Sequence, residues 1–424
     1  MIWFIAGFLL LHLVFLRQRA PDDDGFFLAQ RRIPPLRLGM SLVATILGAS
    51  AVLGTVGWGY DYGLAGSSWL LAGVVGLGLL YVLAPALPRD RAFSIAQLVG
   101  CRAGGVARRA VAVAIVPMWI AVAAAQVKAL AALLAAHSPL SPVVGAALVC
   151  ALVPLYLWRG GQKAVVTSDA VQFWFIAGAV ALGLGLTLAA GATFDRTAVR
   201  PIGQEVPLWT LFPVMLSYLI GPDIHSRLLT TGDVSGRRRA LLFAMLSLAA
   251  VGLALAAIGW AAHGHVAPAQ AWRTGLELLD RLPFPLAVAM NLALVAALLS
   301  SLDTTLLTTG TLLAVDLGGG GAKAARLTVL AVSAAAGVVS QAGAGLIPLL
   351  MTAYQWYAGV LGPPVLFALF VRGASGPRST LAGVLGSAAL LAAGQIAGLP
   401  FAFEAAFAWG VAAMTFGRLR SVGT

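Results

Sequence analysis

Thirteen apolar runs, most of them close to the length that crosses a lipid bilayer, take up the greater part of this chain of 424 residues. They lie near 1–16, 38–60, 69–87, 110–136, 142–158, 166–190, 207–228, 240–262, 284–315, 324–340, 345–371, 379–398 and 400–416. A spanning helix needs roughly 20 apolar residues. Charged residues make up only 10% of the chain, against about 25% in an ordinary soluble domain. So little charge cannot cover a water-facing surface, and lipid is the expected solvent. Backbone groups find no water there and must bond within the protein, which leaves helices or closed barrels as spanning elements. The run lengths select helices. The expected fold class is an all-α integral membrane protein with about 13 transmembrane helices.

Loop charge tests that count. With the N-terminus outside, the odd-numbered loops and the C-terminal tail face the cytoplasm, and they hold 22 of the 27 Lys and Arg. Arg196, Arg200, Arg273 and Arg281 fall in outside loops, and Lys128 falls within a span, where it either snorkels outward or pairs with a carboxylate. Positive residues concentrate in cytoplasmic loops, so a multi-pass protein of the cell (inner) membrane with a cytoplasmic C-terminus is expected. The opening MIWFIAGFLLLHLVFLRQR carries its charges after its apolar run and has no small-residue cleavage site, so it reads as a retained helix. The net charge of +12 does not point to nucleic acid, because the basic residues are scattered over short loops. Cys101 lies in a loop and Cys150 in a span, so no disulfide is expected. The run LGGGGAK at 317–323 lacks the spacing of a phosphate loop and reads as a connector.

Two apolar runs are interrupted. SLVATILGASAVLGTVGWGYDYGL at 41–64 contains Gly48, Gly54, Gly57 and Gly59, and Gly221-Pro222 cuts MLSYLIGPDIHSRLL. Proline removes a backbone donor and clashes with the preceding turn. The two segments begin two runs of five helices that traverse the membrane in opposite senses. Paired broken helices in inverted halves point to a transporter's midplane site. A third segment, 291–317, carries a polar belt of Ser300, Ser301, Asp303, Thr304 and Thr305 in an oily helix. Ser300, Asp303 and Thr304 share one face, and a carboxylate at that depth costs at least ~2.5 kcal/mol unless paired, hydrated or protonated. Asp169 is a second carboxylate, at the start of its own run, where N-capping is the plainer reading. Asp223 and His225, beyond the second break, read either as an inner gate with Arg227 or as a solvated loop start. A hard cation takes several oxygens, and carbonyls freed by a broken helix together with serine hydroxyls supply them.

At these segments the chain resembles the sodium:solute symporter family, whose members include proline, sialic acid and sugar symporters of the LeuT-type fold. SLVATILGASAVLG, GGQKAVVTSDAVQ, GPDIHSRLLTTGD and AALLSSLDTTLLTTGTLLAVDL carry the resemblance, which extends over nearly the whole chain. It implies a core of two inverted five-helix repeats with discontinuous first helices. The division is 1–37 as an N-terminal helix and cytoplasmic loop, 38–190 and 207–371 as the repeats, and 372–424 as two C-terminal helices and a tail. It implies a main Na⁺ site from the carbonyls of Ala44, Leu47 and Ala297 and the hydroxyls of Ser300 and Ser301. A second cation site, found in some members, would fall on Asp169, Ser300, Asp303 and Thr304. Asp303 replaces a hydroxyl there, which either strengthens that site or makes a proton-binding carboxylate. The solute would lie between the broken helices and the 110–136 run, against Gly48, Ala49, Ser50, Ala51, Gly54, Trp119, Gln126, Tyr218 and Gly221.

The expected function is sodium-coupled symport of a small organic solute by alternating access, with Na⁺ as coupling ion, no organic cofactor, and the protein acting as a monomer in the bilayer. A proton-coupled or facilitative carrier using Asp303 or Asp169 is the alternative, and a non-transporting membrane sensor a third. No enzyme motif is present: H-E-x-x-H is absent, and no Ser/His/Asp set has a recognisable context. The solute class stays open among amino acid, organic acid and sugar. Few fixed charges line the expected cavity, which suggests a neutral, zwitterionic or small anionic solute.

Overall fold

Helix ends in this protein follow from caps, prolines and glycines more than from any change in hydrophobicity. In the computed structural model, residues 1–87, 92–189, 191–196, 199–201, 211–263, 284–342, 346–371 and 376–422 are described, save the side chains of Ala49, Ser50, 346–348 and 419–422. The helices are α1 (Ile2–Leu11), α2 (Asp23–Leu28), α3 (Pro35–Ile46), α4 (Ala49–Tyr62), α5 (Ser68–Leu83), α6 (Ile95–Ala136), α7 (Pro142–Ala189) and α8 (Phe212–Ile220). They continue with α9 (Pro222–Leu228), α10 (Val234–Ala261), α11 (Phe284–Thr311), α12 (Ala322–Ser340), α13 (Leu346–Trp356), α14 (Gly362–Phe370), α15 (Pro377–Ile396) and α16 (Ala402–Val422). Asp22, Ser94 and Asp233 each accept a bond from the first turn of α2, α6 and α10, which satisfies a backbone donor that a helix start leaves open. The 317–323 connector ends where Ala322 N donates to Asp23 Oδ1 at 2.8 Å, so a distant carboxylate caps α12.

Among the described residues, seven helical segments are long and apolar enough to cross a membrane. The difference from thirteen sequence runs has physical causes. The runs 142–158 and 166–190 join into α7 through a kink at Gly161 (φ 51°, ψ −137°). That left-handed backbone suits glycine, and a Cβ there would also strike the Phe26 carbonyl. The run 38–60 is split between α3 and α4, and the described part of 207–228 between α8 and α9, which leaves α3, α8 and α9 too short to span alone. The run placed at 110–136 begins earlier, at Ile95, with a kink at Gly104 (φ 86°).

Polarity is arranged inside out. Trp3, Val82, Leu246, Val338 and Ile396 point outward, as lipid allows and water disfavours. Arg227, Asp169, Asp303 and Ser300 are each 0% exposed. The elements that enclose them are α3, α7 and α11, which pack on one another, with α6 and α9 also against α11. Cys101 and Cys150 are not joined to each other by a disulfide.

Between lipid-solvated helices, close backbone approach replaces the hydrophobic drive, and small residues permit it. α4 and α10 cross in this way: a Cβ at Gly59 would hit the Ala256 carbonyl, and one at Gly259 the Val56 carbonyl. Gly259→Ala is therefore expected to lower stability by about 1–3 kcal/mol through overpacking. Thermal unfolding of the purified protein in detergent reads this as a lower midpoint, whereas an unchanged midpoint would mean the crossing is looser than described.

Candidate solute and cation site

α3 stops at Ile46 because Leu47 leaves helical geometry (φ −80°, ψ 52°) and Gly48 is extended (φ −67°, ψ 176°) before α4 begins. A break leaves the last carbonyls of the first half without helical partners. α11 supplies them. Ser300 Oγ donates to Ala44 O at 2.6 Å and lies 3.0 Å from Ala297 O. Ser301 Oγ donates to Thr45 O at 2.8 Å. Four of the five residues expected at the main cation site, Ala44, Ala297, Ser300 and Ser301, thus come together. Leu47 stands at the break itself, buried. The Thr45 carbonyl is an acceptor that sequence reasoning missed.

The second break sits at Gly221 (φ −51°, ψ 126°), with Pro222 opening α9 where its missing N–H costs nothing. Two freed carbonyls find side chains: Tyr357 donates to Ile220 O, and His225 Nε2 contacts Leu219 O at 3.1 Å. His225 therefore holds the break, and is 1% exposed.

The two sequence carboxylates have different partners. Asp169 lies well inside α7, past the Gly161 kink, so it caps no helix. Its Oδ2 pairs with Arg227 Nη2 at 2.7 Å and accepts from Ser41 Oγ at 2.5 Å. Arg227 Nε donates to Ser41 Oγ at 2.7 Å, Nη2 also reaches Thr304 Oγ1, and Nη1 reaches the Asp223 carbonyl at 3.3 Å. Arg227 was counted above as a loop charge; it is buried instead, and its guanidinium stands between Asp169 and Thr304. Among the described residues Asp303 Oδ2 hydrogen-bonds to hydroxyls, Tyr156 at 3.0 Å and Ser168 at 3.3 Å, with Thr304 Oγ1 3.3 Å from Oδ1. Among the described residues no basic side chain pairs with Asp303. Lys128 points elsewhere, donating to Ala342 O at 2.8 Å.

A cavity opens beside the first break. Of the expected solute contacts, Gly48, Ala51, Trp119, Gln126 and Tyr218 line it. Gly54 and Gly221 are not in its wall, although Gly221 packs on Asp223 Oδ1. The side chains of Ala49 and Ser50 lie outside the described residues. Asp223, Trp69, Tyr354 and Thr305 also line it, and none of these was foreseen as a solute contact. Two buried polar atoms at the wall have no hydrogen-bond partner among the described residues, Trp119 Nε1 and Gln126 Oε1. A second, smaller hollow lies past α9, with Phe27, Phe93, Pro222, Ser226, Thr308 and Thr311 in its wall. α9 and α11 border both hollows. On α11 the hydroxyls Ser301, Thr305, Thr308 and Thr311 follow one helical face from the first to the second.

Broken helices around an internal cavity, inside a shell of apolar helices, define a multi-pass membrane transporter. The profile of the sodium:solute symporter family matches residues 26–386, and the chain belongs to that family. In fold it is similar to a Na⁺-coupled sialic acid symporter solved in a substrate-bound outward-open state: TM-score 0.79, 18% identity, covering 98% of this chain and 96% of that one. It is also similar to Mhp1, a nucleobase-cation-symport-1 family transporter solved closed around bromovinylhydantoin: TM-score 0.60, 13% identity, covering 95% of each chain. Comparison with curated proteins gave no match.

Proposed function

We propose that this protein is a secondary active transporter that couples Na⁺ to the uptake of a small organic solute by alternating access. The observation that carries the reading is the meeting of Ser300 and Ser301 with the carbonyls of Ala44 and Thr45 at the first break. These are neutral oxygens. Without a full negative charge among them they suit a monovalent hard cation bound weakly enough to be released. The hydroxyls now donate to the carbonyls; turned the other way, the same oxygens face an ion between the two helices. Leu47 completes the proposed set, while Asp169 and Thr304, engaged with Arg227, are a poorer second cation site. Family membership and the Na⁺-coupled fold relative support the same coupling.

The broken helices belong to different proposed repeats, 38–190 and 207–371, followed by two C-terminal helices in 372–424. An ion between α3 and α11 would hold the first cavity in shape for solute, and a shift of α9 against α11 would join it to the second hollow. The ligand's contribution is differential affinity for the two states. The test is uptake into proteoliposomes of a solute identified by thermal-shift screening. Uptake is expected to need an inward Na⁺ gradient and to collapse when K⁺ replaces Na⁺. Uptake that ignores Na⁺, tracks the pH gradient and is lost in Asp303→Asn would overturn the sodium reading.

A further inference from the structure

We propose that the transported solute carries an ammonium group, seated against Asp223 and the aromatic wall of the central cavity, together with a hydrogen-bond acceptor that meets Trp119. This deepens the transporter reading and rests on the cavity being its solute site.

Asp223 is the acidic side chain in the described wall, and no Lys, Arg or His side chain lines that wall. Its carboxylate forms no ion pair among the described residues. The nearest guanidinium, Arg227, has committed all three nitrogens, to Ser41, to Asp169 with Thr304, and to the Asp223 backbone carbonyl. Among the described lining residues the carboxylate thus meets no cationic side chain, and the guanidinium one turn along α9 acts on it only from outside the wall. Asp223 is half-buried in the first turn of α9, where its own backbone N–H and that of Ile224 bond to its carboxylate, and a cationic group on the solute supplies the countercharge that these neutral donors do not.

The rest of the wall fits the same group. Trp69, Trp119, Tyr218 and Tyr354 line the cavity, and aromatic faces attract ammonium groups. Trp119 and Gln126 are each 3% exposed, yet Trp119 Nε1 and Gln126 Oε1 have no partner among the described residues. Native proteins leave few such atoms unsatisfied, and each needs an explanation. Gln126 Oε1 and Asp223 both present oxygens to a positive nitrogen, accepting hydrogen bonds where it carries N–H and attracting its charge where it is quaternary. Trp119 Nε1 only donates, so the solute also brings an acceptor such as a carboxylate, carbonyl or hydroxyl.

A purely anionic solute would meet Asp223 with no cation to offset repulsion. A sugar needs many donors around its oxygens, but Ser217, Ser301 and Thr305 already donate to backbone carbonyls. The expectation drawn from sequence, a neutral, zwitterionic or small anionic solute, therefore narrows to solutes bearing a positive nitrogen, zwitterions included.

The experiment measures thermal stabilisation of the full-length protein in detergent, in NaCl and in KCl, by choline, glycine betaine, putrescine and tetramethylammonium. 3,3-Dimethylbutanol, 3,3-dimethylbutanoate and glucose serve as counterparts without the positive nitrogen. At least one ammonium compound is expected to stabilise the wild type where its uncharged or anionic counterpart does not, and Asp223→Asn to weaken it at least about tenfold. Trp119→Phe keeps the ring and removes the donor, so it is expected to weaken glycine betaine severalfold and leave tetramethylammonium unchanged. Should Asp223→Asn fail to fold, the Trp119→Phe comparison decides. No stabilisation by any of the four, equal stabilisation by a counterpart, or an unaffected Asp223→Asn overturns the inference. Ammonium binding that is equal in NaCl and KCl supports the inference and counts against sodium coupling alone.

Discussion

Arg227→Met is expected to be among the most damaging single substitutions in this protein. It strands Asp169, which is 0% exposed and whose Oδ1 already lacks a partner. It also removes the link that ties Ser41 on α3, Asp169 on α7 and Thr304 on α11 to α9. Breaking one side of a buried ion pair costs about 3–5 kcal/mol, a large fraction of a protein's total stability. The asymmetry is diagnostic. Replacing both partners of such a pair by neutral groups of similar shape is often harmless, so Arg227→Met combined with Asp169→Asn should recover much of the loss. Unfolding midpoint and monodispersity in detergent measure both variants. A single variant as stable as wild type would mean that the pair contributes nothing to holding the four helices together.

Ser300→Ala is expected to act on the ion instead of the fold. Its hydroxyl bridges Ala44 O and Ala297 O, and removal deletes a ligand oxygen from the proposed cation cage while leaving two backbone carbonyls. Taking an interaction with a charged partner as about 1.5–3 kcal/mol, the Na⁺ concentration for half-maximal effect should rise about 10- to 100-fold. Ser301→Ala should follow in the same direction. Thr309→Val is the contrast: Thr309 is fully buried on the same helix, but its hydroxyl donates to Thr305 O at 2.7 Å. It should leave Na⁺ dependence unaltered. Na⁺ titrations of thermal stability in the three variants separate these cases.

The parts of this architecture that could be read from sequence were those with local causes. The glycine-rich stretch around Gly48 and the Gly221-Pro222 pair mark weak points that sequence shows, and both breaks fall within them. The Ser300 and Ser301 belt was visible because hydroxyls and a carboxylate are out of place in an oily helix. What stayed hidden depended on long-range packing. Helical spacing groups Ser300, Asp303 and Thr304 on one face without saying which helix that face meets. Arg227 sits at the end of an apolar run, where a positive charge usually marks a loop, and only the return of α9 beneath α3 buries it. Asp223 looked like a gate or loop residue for the same reason, yet the break at Gly221 turns it toward the cavity. Thr305, Thr308 and Thr311 each resemble ordinary helix-packing residues. Their common track appears only when both hollows are placed along α11. The kink at Gly161 joined two runs that hydrophobicity alone divides.

Equilibrium binding of ²²Na⁺ to the purified protein bears most directly on the proposed ion cage between α3 and α11. Saturable binding that K⁺ does not displace, abolished when Ser300 and Ser301 are both changed to alanine in a protein that still folds, is the predicted result. Absence of saturable ²²Na⁺ binding, or binding indifferent to loss of both hydroxyls, would contradict it.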